Sequence, residues 1–369
     1  MAQQTTTPKE WLIISGEPSS DVYGERAIAA LPAGTRIRGI GGPRMRKLAP
    51  ELIDQHQLTV SGLTEPFKRL PAIIKLRRYI RSLIKSAPKN VLLMDSPGFN
   101  LGLLKQLNAY NHHVIYWLPP QTWAWHESRV KLLKKYVHEV WVLYNFELEH
   151  FQSHNVNTIQ SYHPLLDKPH LAPMAPATGK TLQILCLPGS RNNEIIYQRE
   201  KFIAACDIIA KTIPISVQLV AHEPNRDIWK DWQKPSKPYP IEICHGLENI
   251  KPVHMALATS GTVVLECGLL GIPTINSYQT SWLTMFIAKL VVKIKHLSLP
   301  NLIFKEEIFP ERIQDRNTPE ELASLAIKWW DNPDELCKVR EKLKDLRAGI
   351  GLHGKKVETL IQEVLTESP

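Results

Sequence analysis

The stretch "NVLLMDSPGFNLGLLKQLNAYNHHVIYWLPP", Asn90–Pro120, holds the fold in miniature. It opens as a short apolar run that stops at Asp95-Ser96-Pro97, a turn by composition. "NLGLLKQLNAY" (100–110) has helical spacing, and "HHVIYWLPP" (112–120) turns apolar again before two prolines. Strand, helix, strand over such a length describes two parallel strands joined by a crossover helix. The alternation continues on either side. "EWLIISGE" (10–17), "RIRGIGG" (36–42) and "EVWVLYN" (139–145) read as further buried strands, with "DVYGERAIAAL" (21–31) and "SRVKLLKKYV" (128–137) as helices. A second series follows in "TLQILCLPGS" (181–190), "ISVQLVAHE" (215–223), "IEICHG" (241–246), "MALATSG" (255–261) and "PTINSY" (273–278).

Between the two series lies "HPLLDKPHLAPMAPATGK" (163–180), with Pro164, Pro169, Pro173 and Pro176, a linker by composition. The expected fold class is therefore α/β, as two doubly wound Rossmann-like domains. The expected boundaries are 1–165, a Pro-rich linker 166–180, a second domain 181–345, and a C-terminal segment 346–369. Ligands in such sheets bind beyond the carboxyl ends of the strands, and a cleft between domains is the default site.

Composition narrows the chemistry. With 43% hydrophobic and 22% charged residues the chain is of the soluble globular class. A formal net charge of +9 asks for an anionic partner: nucleic acid, a membrane surface or a phosphorylated substrate. Five cysteines without a CxxC pair argue against a disulfide framework and a structural zinc site, and fit a reducing compartment. The N-terminal apolar stretch is too short for a signal peptide. No run reaches the roughly 18 apolar residues of a spanning helix; the longest, "WLTMFIAKLVVKI" from Trp282, is interrupted by Lys289. The expectation is a cytoplasmic protein that can still touch a membrane. None of the 14 histidines forms HExxH, and a metal-free site without cofactor is expected.

Four stretches carry candidate chemistry. In "LCLPGSRNNEI", Gly189 and Ser190 offer a phosphate turn and Arg191 a planar guanidinium, or else an ordinary strand–helix turn with Ser190 as cap. "ATSGTVVLECGLLGIP" (258–273) repeats the arrangement: Ser260, Gly261 and Thr262 would cradle a pyrophosphate at a helix N-terminus. Glu266, one turn further on the same face, would accept hydrogen bonds from ribose hydroxyls, or merely pair with a lysine. "SGEPSSDVYGE" supplies Glu17, Ser19, Ser20 and Asp21 for a phosphate or sugar, or Ser20 and Asp21 as helix caps. Asp95, past the end of its strand, is placed to take a proton from a hydroxyl nucleophile, with Pro97 expected to keep Ser96 extended.

A fifth stretch, "GLTEPFKRLPAIIKLRRYIRSLIKSAPK" (62–89), interleaves Phe67, Leu70, Ile73 and Ile74 with Lys68, Arg69, Arg77 and Arg78 against the single acid Glu65. That composition suits a helix on an anionic lipid surface, or a domain helix with a basic outer face. An RNA-binding signature is missing, so nucleic acid is not expected as a partner. The tryptophans of "YWLPPQTWAW" (116–125) suit core packing or an acyl-contacting wall.

In this order, "SGEPSSD", "GIGGPRM", "MDSPGFN", "WAW", "HPLLD", "LPGSR", "SGTVVLE" and "SLPNLI" resemble the lipid-A-disaccharide synthases, inverting glycosyltransferases of lipid A biosynthesis. The resemblance covers nearly the whole chain. It implies the GT-B fold of two Rossmann-like domains, with a C-terminal helix, here "KVETLIQEVL" (356–365), crossing back to the first domain. It implies UDP-2,3-diacylglucosamine as donor and 2,3-diacylglucosamine 1-phosphate as acceptor, joined β-1,6 with release of UDP. It puts catalytic parts on Asp95, Arg191 and Asn301 and the nucleoside near "SGTVVLE". It also implies a peripheral place on the inner membrane of a Gram-negative-type bacterium. The chain departs from the usual pattern at Pro18, Ser20 and Gly98, all in acceptor-side loops. The rival readings are an enzyme like UDP-N-acetylglucosamine 2-epimerase and a non-catalytic membrane-bound paralogue.

Overall fold

The computed structural model describes residues 10–57, 65–86, 89–189, 192–221, 237–279 and 295–367, and of 57, 65–72, 192–194 and 367 the backbone alone. The chain divides into two units, Met1–His163 with His353–Pro369, and Pro164–Leu352.

The first unit is built on a parallel sheet of seven strands. These are β1 (Glu10–Ser15), β2 (Arg36–Gly41), β3 (Leu52–Asp54), β4 (Asn90–Met94), β5 (His113–Trp117), β6 (Glu139–Val142) and β7 (Thr158–Gln160), in spatial order β3-β2-β1-β4-β5-β6-β7. Both faces are covered, which is why β1 can be apolar at four consecutive positions. Leu12 and Ile14 pack on one face with Leu93 and Val114, while Trp11 and Ile13 pack on the other with Leu92 and Ile115. Gly39 in β2 has φ +130°, and a Cβ there would lie 2.0 Å from the Ile13 carbonyl oxygen, so no other residue fits. The helix Val357–Glu367 returns to this unit, burying Val357, Leu360, Ile361 and Val364 against the Trp11 face.

The second unit carries β8 (Leu182–Leu187), β9 (Ile215–Ala221), β10 (Ile241–His245), β11 (Met255–Thr259), β12 (Thr274–Tyr278) and β13 (Glu311–Ile313), in order β10-β9-β8-β11-β12-β13 and again parallel. In each unit the order reverses once, between β1 and β4 and between β8 and β11. Loops leaving the two strands there diverge to opposite faces and open a crevice.

Two expected boundaries move. The proline-rich stretch is part of the second unit rather than a free linker: Leu166 and Leu171 are buried, and Arg347 donates to the carbonyls of both at 3.3 Å. Residues 346–352 also belong to the second unit, with Leu346 fully buried. Pro164 and Pro169 each open a short 3-10 turn that buries its leucines, which composition alone cannot tell from a tether.

The basic helix Glu65–Ile84 is a domain helix over its described side chains. Leu76, Ile80, Leu83 and Ile84 recur at helical spacing and all enter the core beside Leu12 and Leu93. Arg77 is occupied as well: its guanidinium donates to the Gly98 carbonyl at 2.9 Å and lies 5.4 Å from the Phe99 ring centre. Ile74, Arg78, Arg81 and Lys85 face outward and Ile73 is half-buried, while Phe67, Lys68, Arg69 and Leu70 have side chains outside the described residues. No described helix is long and apolar enough to cross a membrane.

Candidate active site

Among the described residues, each unit gathers polar side chains at its reversal of strand order. In the first unit, Ser15 at the end of β1 pairs in register with Met94 at the end of β4, so the turns following these strands start side by side. Asp95 comes first after β4, and its backbone is left-handed, φ +48°. Ser96 follows at φ +42°, ψ +56°, so it is not extended as the following proline suggested. Two neighbours force this path. Asn100 Nδ2 and the Tyr116 hydroxyl donate to the Asp95 carbonyl oxygen at 2.8 and 2.7 Å, and Pro97 opens the short helix Pro97–Asn100. Two successive non-glycine residues in this region cost about 1–3 kcal/mol each, and such strain concentrates at working sites.

The elbow holds the Asp95 carboxyl where it is hard to solvate. Its Oδ2 is buried and has no hydrogen-bond partner among the described residues. Burial pushes its pKa up to about 6, with Glu17 adding repulsion, against the Ser20 hydroxyl, whose hydrogen bond favours the charged form. A carboxyl in that range is a useful general base near neutral pH. Ser20 is fully buried, 2.7 Å from Ser15 Oγ and 2.8 Å from the Glu17 carbonyl. Glu17 and Ser19 are exposed beside it.

Of the two tasks read for Asp21 in the sequence, the structure shows the helix cap, on a helix distant in the chain. Its two carboxylate oxygens accept from the backbone N–H groups of Arg44 and Met45 at 3.0 and 3.1 Å. It therefore caps the helix Pro43–Leu48, which begins at Gly42 without a cap of its own. A Cβ at Gly42 would strike that carboxylate at 2.3 Å.

The sequence reading missed Glu147. It is buried on the helix Asn145–Ser153, accepting from the Leu143 and Tyr144 N–H groups at 3.3 and 3.4 Å. Burial, with repulsion from Asp95, raises its pKa to about 7 against those two bonds. Around the two acids stand Tyr23, Tyr144 and His163, the His163 ring lying 6.1 Å from that of Tyr23 and 5.9 Å from that of Tyr144. "NFELE" (145–149) does carry the signal of a glutamate at the third helical position. Of the tryptophans, Trp117 is core, while Trp125 is exposed with the Arg129 guanidinium over its ring.

In the second unit, Ala258 of β11 pairs with Leu187 of β8, so Gly189 and the Ser260–Thr262 turn leave from adjacent strand ends. They line an open pocket of about 630 Å³ together with Leu187, Thr259, Glu266 and the Gly246 loop, a volume suited to a small ligand. The helix Thr262–Leu269 starts at Gly261, whose φ of +157° favours glycine and whose missing side chain leaves open space. Among the described residues no side chain caps this helix, and such a helix N-terminus suits an anion. Thr259 Oγ1 is buried in the pocket without a partner among the described residues. Glu266 lies one turn along, its Oε1 3.3 Å from Lys168 Nζ. Glu266 thus lines the pocket and pairs with a lysine, the second of the two tasks read for it in the sequence. Ser190 and Arg191 lie outside the described residues.

Asn301 is not among the pocket residues. It is fully buried, and its amide is saturated: Oδ1 accepts from Ile308 and Phe309 N–H at 2.9 Å, and Nδ2 donates to the Phe309 carbonyl and to Glu311, both at 2.8 Å. All four hydrogen-bonding positions are taken, so it holds the loop 306–311 and has nothing left for a substrate.

The family profile of lipid-A-disaccharide synthetase matches residues 11–364. The chain belongs to that family. It is a disaccharide-forming glycosyltransferase of lipid A biosynthesis. The lipid-A-disaccharide synthase of Trichlorobacter lovleyi is 32% identical over 93% of this chain and 94% of its own. That of Coxiella burnetii strain Dugway 5J108-111 is 31% identical over 92% and 93%. Among solved structures, the kitacinnamycin glycotransferase superposes with a TM-score of 0.58 at 13% identity, covering 98% of this chain and all of that one. The calicheamicin glycosyltransferase CalG4 gives 0.56 at 13%, with 98% of each covered. A putative UDP-N-acetylglucosamine 2-epimerase from Listeria monocytogenes gives 0.56 at 12%, covering 98% of this chain and 96% of that one. Likeness at such identities speaks for the GT-B fold alone, which transferases and epimerases share. The lipid-A-disaccharide synthetase family match selects the transferase.

Proposed function

We propose that this chain transfers 2,3-diacylglucosamine from its UDP derivative to the 6-hydroxyl of 2,3-diacylglucosamine 1-phosphate. Asp95 takes the hydroxyl proton as the oxygen attacks the anomeric carbon from the face opposite the leaving group. The bond to UDP breaks with its electron pair, giving the β-1,6 disaccharide 1-phosphate. Charge growing on the departing UDP is met by the N-terminus of the helix Thr262–Leu269 and by Gly189, Ser190 and Arg191. Glu266 accepts from the ribose hydroxyls. Ser19, Ser20 and Glu17 border the acceptor beside Asp95. The observation that carries this reading is the Asp95 carboxyl, held on a left-handed elbow with a pKa of about 6 and a buried oxygen that has no partner among the described residues.

Both substrates carry acyl chains, and the reading places the enzyme peripherally on the cytoplasmic face of an inner membrane of the Gram-negative type. Support comes from the outer side of the helix Glu65–Ile84, where exposed Ile74 neighbours Arg78 and Lys75. The helix Val130–Tyr136, on the same side of the sheet, exposes Leu132 beside Lys131, Lys134 and Lys135. Apolar tips among like positive charges suit an anionic interface.

The test is incubation of the purified protein with both lipid monosaccharides, following disaccharide and UDP in equal amounts. Folded protein yielding neither product would end the reading.

A further inference from the structure

Lys168 has no part in the scheme above, yet it lines the donor pocket. Its Nζ lies 3.3 Å from Glu266 Oε1, with the lysine side chain 46% exposed and the glutamate 18%. The segment presenting it is fastened on both sides: Leu166 and Leu171 are buried, their carbonyls accept from Arg347, and Leu171 N–H donates to the Lys168 carbonyl at 3.0 Å. A cation is thus delivered to one point on the pocket wall, beside the carboxylate and one helical turn from Thr262.

A half-exposed pair of this kind is held weakly and exchanges readily. An ammonium on a four-carbon stem can also change partner without moving its backbone. Resting on the reading of this pocket as the UDP-sugar site, the geometry points to Lys168 as a ligand of the donor diphosphate, kept in reserve by Glu266. When ribose hydroxyls occupy the carboxylate, the ammonium is released and turns to the phosphate oxygens gathered at the N-terminus of Thr262–Leu269. The exchange replaces one carboxylate by a more highly charged acceptor with several oxygens. Without the lysine, Glu266 would face the phosphates as an uncompensated like charge.

Titration calorimetry of the full-length protein with UDP and with uridine tests this. Lys168→Met keeps the length and packing of the stem and removes the charge. UDP should then bind about tenfold more weakly or worse, with uridine affinity changed by less than about twofold, so that the preference for UDP over uridine collapses. Lys168→Arg should retain most of that preference. Glu266→Gln, by contrast, should weaken uridine and UDP together. An unchanged UDP affinity in Lys168→Met, or an equal loss for both ligands, overturns the assignment and leaves Lys168 as a partner of Glu266 only. Wild-type protein that binds neither ligand overturns the pocket reading itself, a result that does not depend on any variant.

Discussion

Replacing Asp95 by asparagine should destroy turnover while making the protein more stable. The carboxyl is charged at pH 8 in a place that disfavours charge, as its rise from 3.8 to about 6 records. A rise of that size corresponds to about 3 kcal/mol between the folded and unfolded chains. Because the folded protein holds the proton more tightly, the contribution to stability is complete below about pH 4 and is lost as pH climbs through 6. Asparagine has the same shape and no charge to desolvate, although its amide must itself be accommodated beside Ser20. The gain at pH 8 should therefore be about 1–3 kcal/mol, or roughly 3–10 °C in Tm for a unit of this size. Near pH 5 about half of it should remain, since the unfolded carboxyl is still ionised there.

Melting followed by tryptophan fluorescence at pH 5 and pH 8 reads both values. Turnover with the two lipid monosaccharides should fall by about 10²-fold or more, with UDP affinity retained. In the wild-type enzyme kcat/KM should climb through pH 6 as Asp95 ionises. An Asp95→Asn protein no more stable than wild type at pH 8, or a difference in Tm that ignores pH, would refute the claim that this carboxylate is held against its solvation preference.

Asn301→Ala removes four buried hydrogen bonds and should cost about 2–4 kcal/mol of stability, with kcat/KM per folded molecule changed less than about tenfold. A stable but inactive variant would instead put Asn301 in the reaction. Ile80→Ala should destabilise by about 2–4 kcal/mol, being fully buried in the core. Arg78→Glu on the exposed side of the same helix should leave stability within about 0.5 kcal/mol and weaken binding to anionic vesicles about fivefold. Unchanged vesicle binding would remove this helix from the membrane reading.

What the sequence disclosed, and what it withheld, follows from the range of the forces involved. Burial on both faces prints a strand as a run of apolar residues, so the ten strands that fill the two sheets stood out. β3, β7 and β13 did not, because each is a three-residue strand at a sheet edge, too short for a period to show. The helix Glu65–Ile84 presented both of its faces at once, and only packing separates Leu76, Ile80 and Leu83 from Ile74. Asp21 stood in a run of polar residues, but its partners are the N–H groups of Arg44 and Met45 from another turn of chain. A cap donated across such a separation leaves no local spacing to read. Asn301 was taken as catalytic by resemblance, while its four bonds give a structural reason for an asparagine at that position.

Residue type also says nothing of backbone conformation, and here conformation separates Asp95 from an ordinary turn aspartate. Asp-Ser-Pro after a strand commonly makes a turn in which the carboxylate caps nearby N–H groups. In this chain Asn100 and Tyr116 take the Asp95 carbonyl, both residues of the pair go left-handed, and Oδ2 is buried without a donor among the described residues. The left-handed backbone and the buried oxygen are unfavourable for folding, and the burial makes the carboxyl a better base. Glu266 has the opposite construction: it is partly exposed and already has a partner in Lys168. A base must reach its working pKa before the substrate arrives, whereas a binding carboxylate needs only a partner it can give up. Under the proposed function, the two reversal points of strand order meet these demands with the same kind of side chain, placed in a dry setting in one unit and a wetter one in the other.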